Sequence, residues 1–231
     1  MNSLNKTARV AGLMYLIYMV VHILANIIGR SNFIVYGDAI ETANRILASA
    51  WQFRFGIMID LLGAVLFLLT AWALYVLLKP VNKKIALLFL LLNLCGVVIY
   101  SFNLLNQLTA LLLLNGDVYL KIFQADQLQS LSMLFLNIYK NGYMMAQIFF
   151  AIWVFPLGYL IFKSNFLPKI LGIILMIHSF TWLLYVILFF FIPNFIGITY
   201  ISFPLGFIAE FGLSMWLLIK GAKEPKPTLV C

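Results

Sequence analysis

Apolar residues gather into six long blocks along the chain, at residues 10–28, 55–78, 85–107, 141–162, 170–191 and 201–219. Each block approaches the roughly 20 residues that a helix rising about 1.5 Å per residue needs to cross a hydrocarbon core of about 30 Å. The blocks are continuous rather than alternating with period two, which excludes the strands of an outer-membrane barrel. The pattern therefore predicts an all-α, polytopic transmembrane bundle of six spans, forming a single domain over residues 1–231. Apolar character continues past the third block to about residue 114, further than one crossing requires.

The few polar residues inside the blocks recur at helical spacing. Tyr15, Tyr18, His22 and Asn26 share a face of the first block, and Gly56, Asp60, Gly63 and Thr70 lie near one side of the second. Asn93, Gly96, Tyr100, Asn103 and Gln107 follow at spacings of 3, 4, 3 and 4, a coiled-coil-like seam made polar. The fourth block carries Lys140, Met144 and Gln147 near its start, with Tyr139 and Tyr143 expected in the aromatic belt. His178, Thr181 and Tyr185 mark the fifth, and Ser202, Gly206, Glu210 and Ser214 mark the sixth. Such stripes predict helices that turn their polar residues toward a common interior.

Between the first two blocks, Asp38 followed by Glu41 reads as a helix cap, with Ile40, Ala43, Leu47 and Ala50 on one side of the helix it starts. That pattern predicts a short helix lying in the outer interface, and Trp51 an anchor for the next span. Asn115, Gly116 and Asp117 form a turn signal, with Asp117 capping a second amphipathic stretch through Lys121, Asp126, Gln127 and Gln129. Pro225 and Pro227 stop the last helix from extending far.

Composition agrees with the block pattern: 65% of the residues are hydrophobic, 10% are charged, and mean hydropathy is +1.06. A soluble domain of 231 residues has neither the interior for that much apolar surface nor an exterior so poor in charge. The net charge of +8 comes from loop lysines and arginines, so it speaks to orientation rather than to nucleic acid, which is not an expected partner. Lys6, Arg9, Lys79, Lys83, Lys84, Lys163, Lys169, Lys220, Lys223 and Lys226 fall on one side, against Arg30, Arg45, Arg54, Lys121 and Lys140 on the other. Both termini are thereby expected in the cytoplasm, with the first block a retained signal anchor of an inner-membrane protein. Cys95 and Cys231 are too few and too badly placed for a disulfide framework or a metal site.

Burying an ionised carboxylate in hydrocarbon costs several kcal/mol, so Asp60 and Glu210 demand partners. With this orientation, Asp60 and His22 lie about 9 Å, and Glu210 about 13 Å, below the outer ends of their helices. Arg54, Arg30 and Lys140 stand at or above that level. The expected site is an outward-facing polar cavity in which Asp60, Glu210, His22, Arg54, Lys140, Tyr100 and Asn103 bind a small ligand, or in which Lys140, Arg54 or hydroxyls merely satisfy the acids. His22 and His178 suggest haem ligands, but they stand about 18 Å and 12 Å from the cytoplasmic ends of their spans, and one iron needs both at one level. No cofactor or metal is expected. Nucleophile elbows, zinc motifs, phosphate loops and CxxC pairs are absent from the sequence, and no catalytic residue is assigned.

Several stretches together resemble a bacterial integral-membrane family catalogued as domain of unknown function 4386. They are Ala8 to Leu16, Gly37-Asp38 with Ala43 to Ala48, Phe53-Arg54-Phe55-Gly56 leading to Asp60-Leu61-Leu62, Tyr75 to Asn82, Leu157 to Ile161 with Lys163-Ser164, Phe166 to Gly172, Ala209-Glu210-Phe211, and Trp216 to Gly221. The resemblance covers nearly the whole chain and implies positions for Arg54, Asp60 and Glu210 without implying an activity. The family pattern often carries an arginine near Asn93, a departure that bears on charge pairing there. The functional expectation is a bundle that binds or moves a small polar or amphipathic ligand in the lipid bilayer. The alternatives are a membrane enzyme or redox subunit built on the acids and histidines, and a structural accessory subunit.

Overall fold

A computed structural model describes residues 3–116 and 120–222. The expected cap at Asp117, the lysines Lys223 and Lys226, the prolines Pro225 and Pro227, and Cys231 lie outside the described residues. Seven α-helices occur among the described residues: α1 (Ser3–Ala25), α2 (Ala39–Ala48), α3 (Ala50–Leu78), α4 (Lys83–Asn115), α5 (Ala125–Lys163), α6 (Lys169–Phe191) and α7 (Ser202–Ile219). A π-helical turn, Asn26–Arg30, prolongs α1, and a 3-10 helix, Pro193–Ile201, leads into α7. Six of these stretches, Leu4–Arg30, Ala50–Leu78, Lys83–Asn115, Ala125–Lys163, Lys169–Phe191 and Pro193–Ile219, are long and apolar enough to cross a membrane. The chain is a multi-pass membrane protein of all-α class.

Two span boundaries differ from the sequence expectation. The fourth span and the amphipathic stretch before it form one helix from Ala125, because no glycine or proline interrupts residues 125–141. Residues 193–200, which the hydrophobic pattern leaves as a loop between the fifth and sixth blocks, are helical and continue into α7. In both places the change of polarity marks a change of environment along one helix rather than its end.

Large apolar side chains point outward along the spans. Leu13, Ile17 and Val20 of α1, and Ile170, Ile173 and Ile177 of α6, are all exposed, as a lipid-facing surface requires. The polar stripes mostly face inward: Gly56, Asp60, Gly63 and Thr70 are buried on α3, and Asn93, Gly96, Tyr100, Asn103 and Gln107 on α4. The stripe on α1 turns outward along its length, with Tyr15 buried, Tyr18 and His22 half-buried and Asn26 exposed.

The chain divides into two compact units. The first unit takes the described residues of Met1–Ile17, Leu66–Gly96 and Gln147–Cys231, and the second takes Tyr18–Val65 and Val97–Ala146. In the first, Trp153 packs against Phe67 at 5.2 Å and Phe89 at 6.1 Å between ring centroids. Ser214 Oγ donates to the Gly12 carbonyl at 3.0 Å, and Ser179 Oγ donates to the Ala151 carbonyl at 2.6 Å. Hydroxyl-to-backbone bonds of this kind hold helices together where burying apolar surface gains nothing over lipid.

The second unit closes over Phe33, Ile46, Phe53, Ala110, Leu111 and Leu136. Helix α2 forms as expected, with Asp38 Oδ1 accepting the Glu41 backbone N–H at 2.9 Å. Its buried face is Thr42, Ala43 and Ile46, while Ile40 and Leu47 of the expected apolar stripe are exposed. Thr42 pins the preceding loop, its hydroxyl bonded to both the N–H and the carbonyl of Val35 at 3.0 Å.

One contact in this unit sets the position of the polar cluster. Gly29, at the end of the π-helical turn, meets Gly56 of α3 backbone to backbone: a methyl added to Gly29 would lie 2.8 Å from the Gly56 Cα. Only two residues without side chains allow that approach. Gly56→Val is expected to lower the stability of the purified protein by about 1–3 kcal/mol, the cost of overpacking a tight contact. Gly37→Asn, at a left-handed φ of +96° with open space around it, is expected to change stability by less than about 1 kcal/mol. Unfolding curves in mixed micelles measure both.

Candidate functional site

The Gly29–Gly56 contact places Arg30, the next residue of the first span, beside the turn of α3 that carries Asp60 four residues after Gly56. Arg30 Nη1 lies 3.4 Å from Asp60 Oδ1, and the two side chains are 12% and 1% exposed. The same nitrogen donates to the hydroxyls of Tyr139 at 2.8 Å and Tyr100 at 3.2 Å. Tyr100 in turn donates to Asp60 Oδ1 at 2.6 Å, the short distance of a charge-assisted bond. Tyr143 completes the wall, its ring centroid 5.8 Å from the Arg30 guanidinium carbon and 5.8 Å from the Tyr100 ring. Asn103, three residues after Tyr100, donates from Nδ2 to the Tyr139 carbonyl at 2.8 Å and ties α4 to α5 at this level.

The pairing is incomplete in a defined way. Arginine and carboxylate usually meet as two forks joined by two parallel bonds. Here one guanidinium nitrogen and one carboxylate oxygen take all the contacts, and Asp60 Oδ2 and Arg30 Nε are buried with no hydrogen-bond partner among the described residues. Each such atom costs about 1–3 kcal/mol while unsatisfied. The cluster thus holds one unused acceptor and one unused donor, on groups whose formal charges cancel.

Glu210 belongs to the first unit and has a different environment. Tyr15 of α1 donates to its Oε2 at 2.8 Å, and His178 Nε2 of α6 lies 3.6 Å from its Oε1. The His178 ring rests against Gly206, one turn before Glu210, and stands 5.7 Å from the Trp182 ring. Trp182 Nε1 donates to Gln147 Oε1 at 3.0 Å. Asn93, fully buried in the same unit, has no hydrogen-bond partner for either amide atom among the described residues.

Of the expected site residues, Asp60, Tyr100 and Asn103 come together, while Glu210 lies in the other unit. The cation that reaches Asp60 is Arg30 rather than Arg54, which is exposed on the outward side of α3. Lys140 is also exposed, its ammonium 4.8 Å over the Tyr36 ring. His22 is half-buried, with its ring 5.8 Å from that of Tyr18. Tyr139, expected in the aromatic belt, is 3% exposed, and its hydroxyl serves the cluster. Arg30 was readable only as a charge near the rim; the signal that pairs it with Asp60 is a glycine just before Arg30 and another one helical turn before Asp60. Groups of three or more histidine, cysteine, aspartate or glutamate side chains able to hold a metal are absent among the described residues.

A family model described as "Domain of unknown function (DUF4386)" matches residues 10–221. The chain is 31% identical over 155 residues to an uncharacterized protein of Archaeoglobus fulgidus, a match covering 66% of this chain and 75% of that protein. No solved structure matches.

Removing one partner of a buried ion pair leaves the other charge stranded. Asp60→Ala is therefore expected to cost about 3–5 kcal/mol of stability, against less than about 0.5 kcal/mol for exposed Arg54→Gln. Adding Arg30→Ala to Asp60→Ala is expected to restore part of the loss. A double-mutant cycle on unfolding in micelles measures this coupling.

Proposed function

We propose that this chain, which belongs to the DUF4386 family, is a non-enzymatic protein of the inner membrane that binds a small polar or amphipathic ligand at the Arg30–Asp60 cluster. The observation that carries the reading is that Asp60 Oδ2 and Arg30 Nε, one atom from each member of the ion pair, are buried without a hydrogen-bond partner among the described residues. Ionisable groups inside membrane spans are retained for function more often than for packing. A ligand suited to the cluster supplies a donor to Oδ2 and an acceptor to Nε. Because the two charges cancel, that ligand is neutral or zwitterionic; a lone cation or anion would leave one charge uncompensated in hydrocarbon.

The same reading places both termini in the cytoplasm. The basic residues are distributed ten to five in favour of the side that carries the termini, and six spans return the chain to the side where it began.

The test is a thermal-unfolding screen of the purified protein in nanodiscs against short polyols, primary amides and amino acids. A ligand at 100 times its dissociation constant is expected to add about 2.7 kcal/mol to the stability of the wild type, and to add nothing to Asp60→Asn. If no compound stabilises the wild type and only ordered water meets Oδ2 and Nε in a high-resolution structure, the cluster is a packing device and the reading fails. Alkaline phosphatase fused after residue 222 is expected to be inactive in bacterial cells; an active fusion overturns the orientation.

A further inference from the structure

The first unit carries a feature that the Arg30 cluster does not use. Its exposed basic side chains all stand at helix ends: Lys6 and Arg9 open α1, Lys79 follows α3, and Lys83 and Lys84 open α4. Lys163 and Lys169 flank the turn from α5 to α6, and Lys220 follows α7. Contacts inside the unit draw these ends together. The Ser214–Gly12 bond joins α7 to α1, the backbones of Gly158 and Gly172 join α5 to α6, and Trp153 joins α5 to α3 and α4. Among the described residues of this unit Glu210 is the one carboxylate, midway along α7 and bonded to Tyr15. No acidic side chain among them lies at the basic end.

Membrane insertion accounts for the side on which such charges fall. It does not account for how they are held. Lys169 Nζ lies 5.6 Å, and Lys163 Nζ 6.0 Å, from the centre of the same ring, that of Phe162. Lys163 also lies 5.9 Å from the Tyr159 ring, and Lys79 lies 6.0 Å from the Tyr75 ring. An aromatic face holds an ammonium at headgroup level while leaving hydrogens free to donate. Two like charges drawn to one ring repel, and an anion bridging them removes that repulsion.

The intervening turn is preorganised. Ser164 Oγ donates to the Ile161 carbonyl at 2.8 Å and accepts the Leu167 N–H at 3.2 Å, while Asn165 takes a left-handed φ of 57°. Immediately beyond Lys169, Ile170, Ile173 and Ile177 form an exposed apolar strip on α6. A phosphate beside an acyl chain matches that juxtaposition.

We propose that this basic end binds anionic phospholipid headgroups, with Lys163 and Lys169 around Phe162 as the principal position. The lipid phosphate lies between the two ammonium groups and its acyl chain follows the isoleucine strip. This surface is separate from the Arg30 cluster and does not depend on what that cluster binds.

The test is native mass spectrometry of the full-length protein released from vesicles of equimolar phosphatidylglycerol and phosphatidylcholine with identical acyl chains. The wild type is expected to retain phosphatidylglycerol preferentially, and Lys163→Gln with Lys169→Gln to lower that preference roughly tenfold. Lys163→Arg with Lys169→Arg is expected to keep it, and Lys121→Gln, in the other unit, to leave it unchanged. Circular dichroism checks that each variant is folded. Equal retention of the two lipids by the wild type overturns the proposal, as does an undiminished preference in the folded double glutamine variant. Displacement of the lipid by millimolar inorganic phosphate would mark a soluble-phosphate site instead and equally overturn it.

Discussion

A carboxylate inside a membrane span has to find a cation or a set of donors, and the second unit of this protein is arranged around the solution for Asp60. The partner comes from the last residue of the first span, held there by a π-helical turn and by two glycines whose backbones touch. Tyr100 and Tyr139 bring α4 and α5 to the same point, and Asn103 locks those two helices against each other one turn away. Four segments of chain thus converge on one guanidinium. In lipid, where apolar burial contributes little to helix association, such polar contacts and close backbone approaches carry much of the specificity of packing.

The two acids of the spans are held by different means. Asp60 meets an arginine, which stays charged under all ordinary conditions, and is nearly sealed from the surroundings. Glu210 meets a phenol and an imidazole and is partly exposed. A permanent ion pair suits a site that orients a dipolar ligand. A hydrogen bond from Tyr15 and the nearby His178 ring suit a site that fixes how α1, α6 and α7 pack. This chemical difference is why the Arg30 cluster, rather than the Glu210 group, carries the functional reading.

The charges outside the spans follow a separate logic. Those of the second unit are mixed, with Arg45 bonded to Glu41 at 2.7 Å on the exposed side of α2. Those of the first unit are basic alone at the helix ends, and three of its lysines rest on aromatic rings. The contrast matches an end that meets anionic headgroups.

The sequence by itself determined the class of the protein, its six spans, the cap on α2 and the inward direction of the stripes on α3 and α4. Hydrophobic block length and helical periodicity are local quantities, and a bilayer leaves a backbone few alternatives to a continuous helix. What only the tertiary structure decided was which polar groups meet. Arg30 displaced Arg54 as the partner of Asp60, and Tyr139 moved from an expected lipid belt into the cluster, because pairing depends on where backbones approach, here at Gly29 and Gly56. Rise per residue yields the depth of a side chain along its own helix. It carries no information about which neighbour stands at that depth: Arg30 and Tyr100 beside Asp60, Tyr15 and His178 beside Glu210.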